Sequence, residues 1–283
     1  MVACSTVCLR QLARGRWAKQ MQFWRFMANE RVTVGRLIEG WSDRTRDAAV
    51  GRHVLAIQDT SELRFSTTAD NRRGLGKVKK GTAYGVLLHA MIGVDADSGA
   101  LLGLAGGQIW TRKGDVETPH AKRTLSEKES GRWIATAEWA KQSLAGAAMV
   151  TVVADRESDF YAHWARSPGP TVHLLTRLMN DHAVVEGGTV RKALARLPVA
   201  GQATIELRER ANRRPRLAHV SLRVGSVVLQ RPKNTIEKDL PASIAVNVVE
   251  VIEPRPPKQA EPIHWILLTT HDVKTIDEAW RIV

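Results

Sequence analysis

Cysteine is nearly missing from this chain. Cys4 and Cys8 are the only two, both within the first few residues. They cannot staple the body, and no His or Cys stands near them at zinc-ligand spacing. Two reduced thiols in a cytosolic protein is the reading they support. No apolar run reaches eighteen residues, so there is no candidate membrane span. The first sixteen residues hold some apolar side chains, but Arg10, Arg14 and Arg16 interrupt them, and the apolar centre of a secretory signal is lacking. Acid is scarce relative to base: 29 Asp and Glu stand against 42 Lys and Arg, a net charge of +13. That excess points to a polyanionic partner, most often nucleic acid, although ribosome-associated and membrane-surface proteins share it.

With 43% hydrophobic residues over 283 positions, the chain can bury one large core or two small ones. The stretch that organises it is 149–161, Met-Val-Thr-Val-Val-Ala-Asp-Arg-Glu-Ser-Asp-Phe-Tyr. A largely β-branched apolar run suits a strand buried on both faces. It ends in Asp155, and a carboxylate at the carboxyl end of such a strand sits at the sheet rim, where open α/β sheets bind ligands. Asp155 or Ser158 would serve equally well as a cap for the helix expected over 160–166.

The same pattern occurs earlier. Residues 52–61, Arg-His-Val-Leu-Ala-Ile-Gln-Asp-Thr-Ser, form an apolar strand that ends in Asp59. If the two strands are neighbours, Asp59 and Asp155 converge. Adjacent unpaired carboxylates repel, and a divalent cation relieves this; hard oxygen ligands suit Mg²⁺ or Mn²⁺.

The remaining chain is read around these two ends. Residues 1–50 are helical and basic, with Trp24 and Phe26 expected as core contacts and Thr33 as the cap of a helix over 34–41. Residues 71–80 are Gly-rich and basic (Arg72, Arg73, Lys77, Lys79, Lys80) but lack the Lys-Ser/Thr ending of a phosphate-binding loop. A basic loop touching a phosphate backbone fits them, as does a solvated turn. Strands over 84–94 and 100–110 join at a turn containing Asp95 and Asp97, completing a meander with the Asp59 strand. Residues 124–144 form a helix, with Ser126 and Glu129 at capping-box spacing. Alternating short strands over 181–262 suggest an inserted all-β subdomain. It carries a basic run with Arg210, Arg213 and Arg214, which suits either a solvated hairpin tip or a DNA contact. Arg156 and Arg177, beside the second strand end, are counted with the DNA-contacting set. A strand over 263–270 and the start of a helix complete the chain. The expected division is 1–50, 51–180, 181–262 and 263–283.

Three strands in a meander, a helix, a strand ending in an acid and another helix is the ribonuclease-H-like order. The sequence also resembles bacterial insertion-sequence transposases of the IS-four kind. The pieces that carry the likeness are 54–61 (Val-Leu-Ala-Ile-Gln-Asp-Thr-Ser), 127–133 (Glu-Lys-Glu-Ser-Gly-Arg-Trp), 155–159 (Asp-Arg-Glu-Ser-Asp) and 265–269 (Trp-Ile-Leu-Leu-Thr), in that order. The resemblance implies an α/β, ribonuclease-H-like mixed sheet with an inserted all-β subdomain. It further implies cut-and-paste DNA transposition in a bacterial cytoplasm, with Mg²⁺ or Mn²⁺ at a two-metal site. Asp59 and Asp155 match the first two acids of the family's triad. Trp265 matches a Trp that stacks on a flipped base in hairpin-forming members. Transposon-end and target DNA are the implied partners, bound by a homodimer in intact members. The family's third acid, a Glu in a Tyr-Arg-Glu-Lys signature, has no counterpart here. Glu157 and Glu278 are the nearest spare acids, and neither stands in that signature. The chain as written is therefore expected to be a truncated form with little or no cutting activity. A DNA-binding remnant and a structure-specific nuclease are the alternatives.

Overall fold

The structure, a computed structural model, describes residues 6, 8–65, 74–78, 83–112, 119, 123–209 and 214–283. Three helices come first: α1 (Leu9–Leu12), α2 (Trp17–Ala28) and α3 (Val34–Ala49). The Thr33 hydroxyl accepts the Arg36 N–H at 3.2 Å and starts α3, as an N-cap should. Ile38, Ser42, Thr45 and Ala49 are its buried residues, one stripe at helical spacing. That stripe lies on the sheet, where Thr45 Oγ1 donates to Leu104 O at 2.7 Å. Gly103 makes the approach possible: it has φ +143°, and a Cβ there would lie 2.5 Å from Thr45 Oγ1.

The strands are β1 (His53–Phe65), β2 (Gly76–Val78), β3 (Ala83–Asp95), β4 (Leu101–Trp110), β5 (Met149–Ala154), β6 (Val172–Arg177), β7 (Gly201–Leu207), β8 (Arg216–Gln230), β9 (Ser243–Ile252) and β10 (His264–Thr269). Among the described residues they form one sheet, ordered β2-β3-β1-β5-β6-β10-β9-β8-β7, with β4 also on β3. The β1–β5 and β5–β6 pairs are parallel, and the rest are antiparallel. The protein is thus α/β with a large mixed sheet.

The two faces of the sheet carry separate cores. On one, Val54, Ala56, Val150, Val152, Leu174 and Leu268 pack with residues of α3, α4 (Gly131–Ser143), α5 (Tyr161–Arg166) and α6 (Val190–Ala195). On the other, Leu222, Val249, Val251 and Leu267 pack with Ala279 of α7 (Ile276–Ile282). No described helix is long and apolar enough to cross a membrane.

Three expectations need adjusting. Residues 181–262 do supply strands, β7 to β9, along with helix α6. These strands do not make a sheet of their own; they extend the main one through the β9–β10 pairing. The capping box is Thr124–Glu127 rather than Ser126–Glu129, and it opens a short 3-10 turn before α4. Glu129 is engaged elsewhere, holding Arg112 Nε at 2.7 Å and Nη2 at 3.0 Å. Finally, Trp24 and Phe26 are not core residues. They are 63% and 49% exposed, on a helix with no buried side chain.

Candidate functional site

The register of the parallel strands sets the geometry of the two acids. Ile57 of β1 pairs with Val153 of β5. Two residues further along both chains stand Asp59 and Asp155. Asp59 is still within β1, where it pairs with Ala90 of β3, and Asp155 follows the last residue of β5. Both are exposed, although their strands are buried up to that point. The sequence pattern ends the first strand near Asp59; in the structure β1 runs on to Phe65, held by its antiparallel pairing with β3.

The row continues across the sheet. Ala154 pairs with Thr176, so Asp155 lies opposite Arg177 of β6. Arg177 in turn pairs with Leu267 of β10. Trp265 is two residues beyond Leu267, on the same face and toward the same edge. It is half-buried, packed against the core that includes Val251 and Leu267. Burial and neighbouring Arg156 push the Arg177 guanidinium down, while Asp155 opposes them.

Each acid is also held by local backbone. Asp59 Oδ1 accepts the Thr60 N–H at 2.7 Å. Asp155 Oδ1 accepts the Glu157 N–H at 2.9 Å, capping a 3-10 turn over Arg156–Ser158. Asp155 thus caps this short turn and not the helix over 160–166 that the sequence suggested, whose N-cap position is held by Phe160 with no side-chain cap.

Asp159 has a different role from Asp155. Its side chain is fully buried. Oδ1 faces His182 Nε2 at 2.7 Å and accepts Trp164 Nε1–H at 3.0 Å. Oδ2 accepts the Met179 and Asn180 N–H groups at 2.7 and 2.9 Å. These bonds lower the Asp159 carboxyl below its usual range, against the opposing effect of burial. It ties the turn after β5 to the segment after β6.

The remaining sequence candidates divide. Lys77, Arg156 and Arg214 are exposed and Arg177 is half-buried. Arg72, Arg73, Lys79, Lys80, Arg210 and Arg213 lie outside the described residues. Glu278 completes a capping box with Thr275 at the start of α7, accepting the Lys274 and Thr275 N–H groups at 2.8 and 2.9 Å. Glu157 reaches Arg132 Nη2 at 3.0 Å. Among the described residues, no three His, Cys, Asp or Glu side chains are gathered as a metal cluster.

No family model matches the chain. A piggyBac transposase, solved as a synaptic complex with hairpin DNA, aligns over 81% of this chain at 10% identity, with a TM-score of 0.39. The match takes in 36% of that transposase, so this chain spans about a third of its length. The likeness is too loose to carry an assignment.

Sequence reasoning missed the polar network beside the acids. Thr60 Oγ1 is 2.8 Å from His89 Nδ1, and His89 Nε2 is 3.1 Å from Gln58 Oε1. Gln58 and Thr60 flank Asp59 on the opposite face of β1. The signal was in plain sight, since both are polar residues at the end of an apolar strand. Their partner, His89, lies on another strand of the meander.

Proposed function

We propose that this chain is part of the catalytic core of a ribonuclease-H-like transposase, carrying two of the three acids that the resemblance implies and with little or no cutting activity of its own. In this reading, Asp59 and Asp155 hold a Mg²⁺ or Mn²⁺ ion at a DNA phosphodiester. The observation that supports it is the parallel pairing of β1 and β5, whose last pair, Ile57 with Val153, lies two residues before each of the two exposed acids. Such a donor set suits a hard divalent cation: two carboxylate side chains, solvent-accessible and unsoftened by sulfur or imidazole. The bound metal would supply Lewis acidity and an activated water for attack on the phosphodiester.

The chain's own residues then have distinct tasks. Asp59 and Asp155 bind and orient. Arg156 and Arg177 supply positive charge beside the acids for a phosphate backbone, consistent with a chain of net charge +13. Trp265, on the same face and edge, offers an aromatic surface on which a displaced base can stack. The four sequence pieces shared with insertion-sequence transposases support the choice of reaction class, with transposon-end and target DNA as the substrate.

Mn²⁺ titration by calorimetry tests this directly. The chain should bind Mn²⁺, and Asp59→Asn and Asp155→Asn should each weaken binding strongly while leaving the melting temperature close to that of the parent. Binding unaffected by either substitution would overturn the reading. Because the third acid of the resembled family has no counterpart here, little or no strand scission is expected of this chain; DNA binding with no Mn²⁺ binding would instead favour a DNA-binding chain without a catalytic site.

A further inference from the structure

Arg132 stands at the first turn of α4, yet its guanidinium reaches both Thr60 of β1 and Glu157 of the turn after β5. Nε donates to Thr60 Oγ1 at 2.9 Å, and Nη2 to Glu157 Oε2 at 3.0 Å. Nη1 donates to the Glu129 carbonyl at 2.7 Å, which anchors the side chain to its own helix. The group is held from the sides as well, with Cζ 5.5 Å from the ring centroids of both Trp110 and Trp133. Only 10% of the side chain is exposed. Its planar fork relates the positions of its acceptors to one another.

The two acceptors that matter belong to the residues that hold the acids. Thr60 donates its backbone N–H to Asp59 Oδ1, and Glu157 donates its backbone N–H to Asp155 Oδ1. A continuous path therefore runs from one carboxylate to the other: Asp59, Thr60, Arg132, Glu157, Asp155. The β1–β5 pairing ends at Ile57 and Val153, two residues before each acid, so the strand register does not by itself fix the two carboxylates. Arg132 bridges the two segments at that point. Thr60 is itself held on its other side by buried His89, Nδ1 at 2.8 Å, so the tie is anchored to buried structure at the Thr60 end, while Glu157 at the other end is exposed.

We propose that Arg132 is a positioning residue for the acid pair, setting the separation and orientation of Asp59 and Asp155 for a divalent cation through Thr60 and Glu157. The inference rests on the reading of the pair as a cation site. It makes a prediction opposite in sign to simple electrostatics. Removing a positive charge near two carboxylates should, by Coulomb's law alone, tighten cation binding. Loosening the two segments should weaken it.

The test compares Mn²⁺ affinity by calorimetry, together with melting temperature, for the parent chain, Arg132→Gln, Arg132→Lys, Thr60→Val and Asp59→Asn. Arg132→Gln should bind Mn²⁺ about 10–100-fold more weakly, the usual effect of losing an outer-shell partner. Arg132→Lys keeps the charge but has one ammonium in place of the fork, so it should not restore parent affinity. Thr60→Val removes an acceptor of Arg132 without changing any charge or the Thr60 N–H, and should weaken binding in the same direction. Should Arg132→Gln fail to fold, Thr60→Val decides. If Asp59→Asn abolishes binding while Arg132→Gln and Thr60→Val bind as the parent does or more tightly, the positioning role is wrong and the cation site stands. If the parent binds no Mn²⁺, or Asp59→Asn binds as the parent does, the cation site itself falls, and the positioning role falls with it.

Discussion

Asp159 and His182 stand 23 residues apart in the chain and meet in the interior, Oδ1 to Nε2 at 2.7 Å. The same carboxylate takes Trp164 Nε1–H and two backbone N–H groups. Asp159→Ala would strand all of these donors without water. The expected cost is about 3–5 kcal/mol, the range for removing one partner of a buried charged network. Urea unfolding should show it as a lower midpoint. Asp155→Asn, only four residues away but exposed, should leave the midpoint nearly unchanged. Equal losses from the two substitutions would mean that the roles of the two acids have been misjudged.

Binding to DNA should respond steeply to salt. If the chain neutralises about 6–10 phosphates, affinity should fall by roughly 10³–10⁵ between 50 and 200 mM salt. Fluorescence anisotropy with a labelled duplex at several ionic strengths would give the slope. Arg156→Ala and Arg177→Ala should each make it shallower by about one phosphate's worth. A flat salt response would remove the nucleic-acid partner from the proposal.

Trp265 is half-buried against a core and is also proposed to meet DNA, so two substitutions are needed to separate these roles. Trp265→Phe keeps much of the apolar contact and should cost less stability than Trp265→Ala. Against a hairpin or gapped DNA with an unstacked base, Trp265→Ala should lose about 1–3 kcal/mol of affinity, with Trp265→Phe in between. A drop in melting temperature with unchanged affinity for such DNA would make Trp265 a packing residue only.

Acidification should destabilise the fold through two interior histidines. Burial lowers His89 to about 4, helped by neighbouring Arg132, and lowers His163 to about 3, helped by His89. Both would titrate near 6.5 in the unfolded chain. Between those values the unfolded state binds more protons than the folded one, so stability falls as pH drops below about 6.5. Each histidine contributes at most about 1.4 kcal/mol per pH unit. His163→Phe should flatten the slope of stability against pH between 6 and 4, as followed by chemical denaturation. An unchanged slope would show that His163 does not contribute.

The two strands that lead to Asp59 and Asp155 were legible in the sequence because each is a local apolar run; that they are parallel neighbours, and that β1 continues past Asp59 to Phe65, depends on pairing with β5 and β3. The cap at Thr33 was legible for the same reason. The Arg132 bridge was not, because Thr60 and Glu157 lie 72 and 25 residues from Arg132 and on opposite sides of it in sequence. The capping box was placed two residues late because Ser126–Glu129 and Thr124–Glu127 share one spacing. Only the tertiary contact of Arg112 with Glu129 separates them. Alternation identified strands over 181–262, but alternation is blind to the neighbour. That β9 pairs with β10, joining these strands to the main sheet, depends on hydrogen bonds between distant segments.

Helix α2, with Trp17 and Trp24 turned outward and no buried side chain, has a kinetic consequence. Its amide hydrogens are protected by the helix alone, while those of β1, β5 and β6 are shielded by cores on the sheet's faces. The two groups should exchange with deuterium by separate routes. In α2 exchange should proceed through local fraying, at a rate nearly independent of added urea. In the central strands it should wait for global opening and accelerate with urea. A protease sampling the native state would meet the α2 segment long before it met the sheet, so the first cuts would leave the two acids and Arg132 together in a single folded fragment.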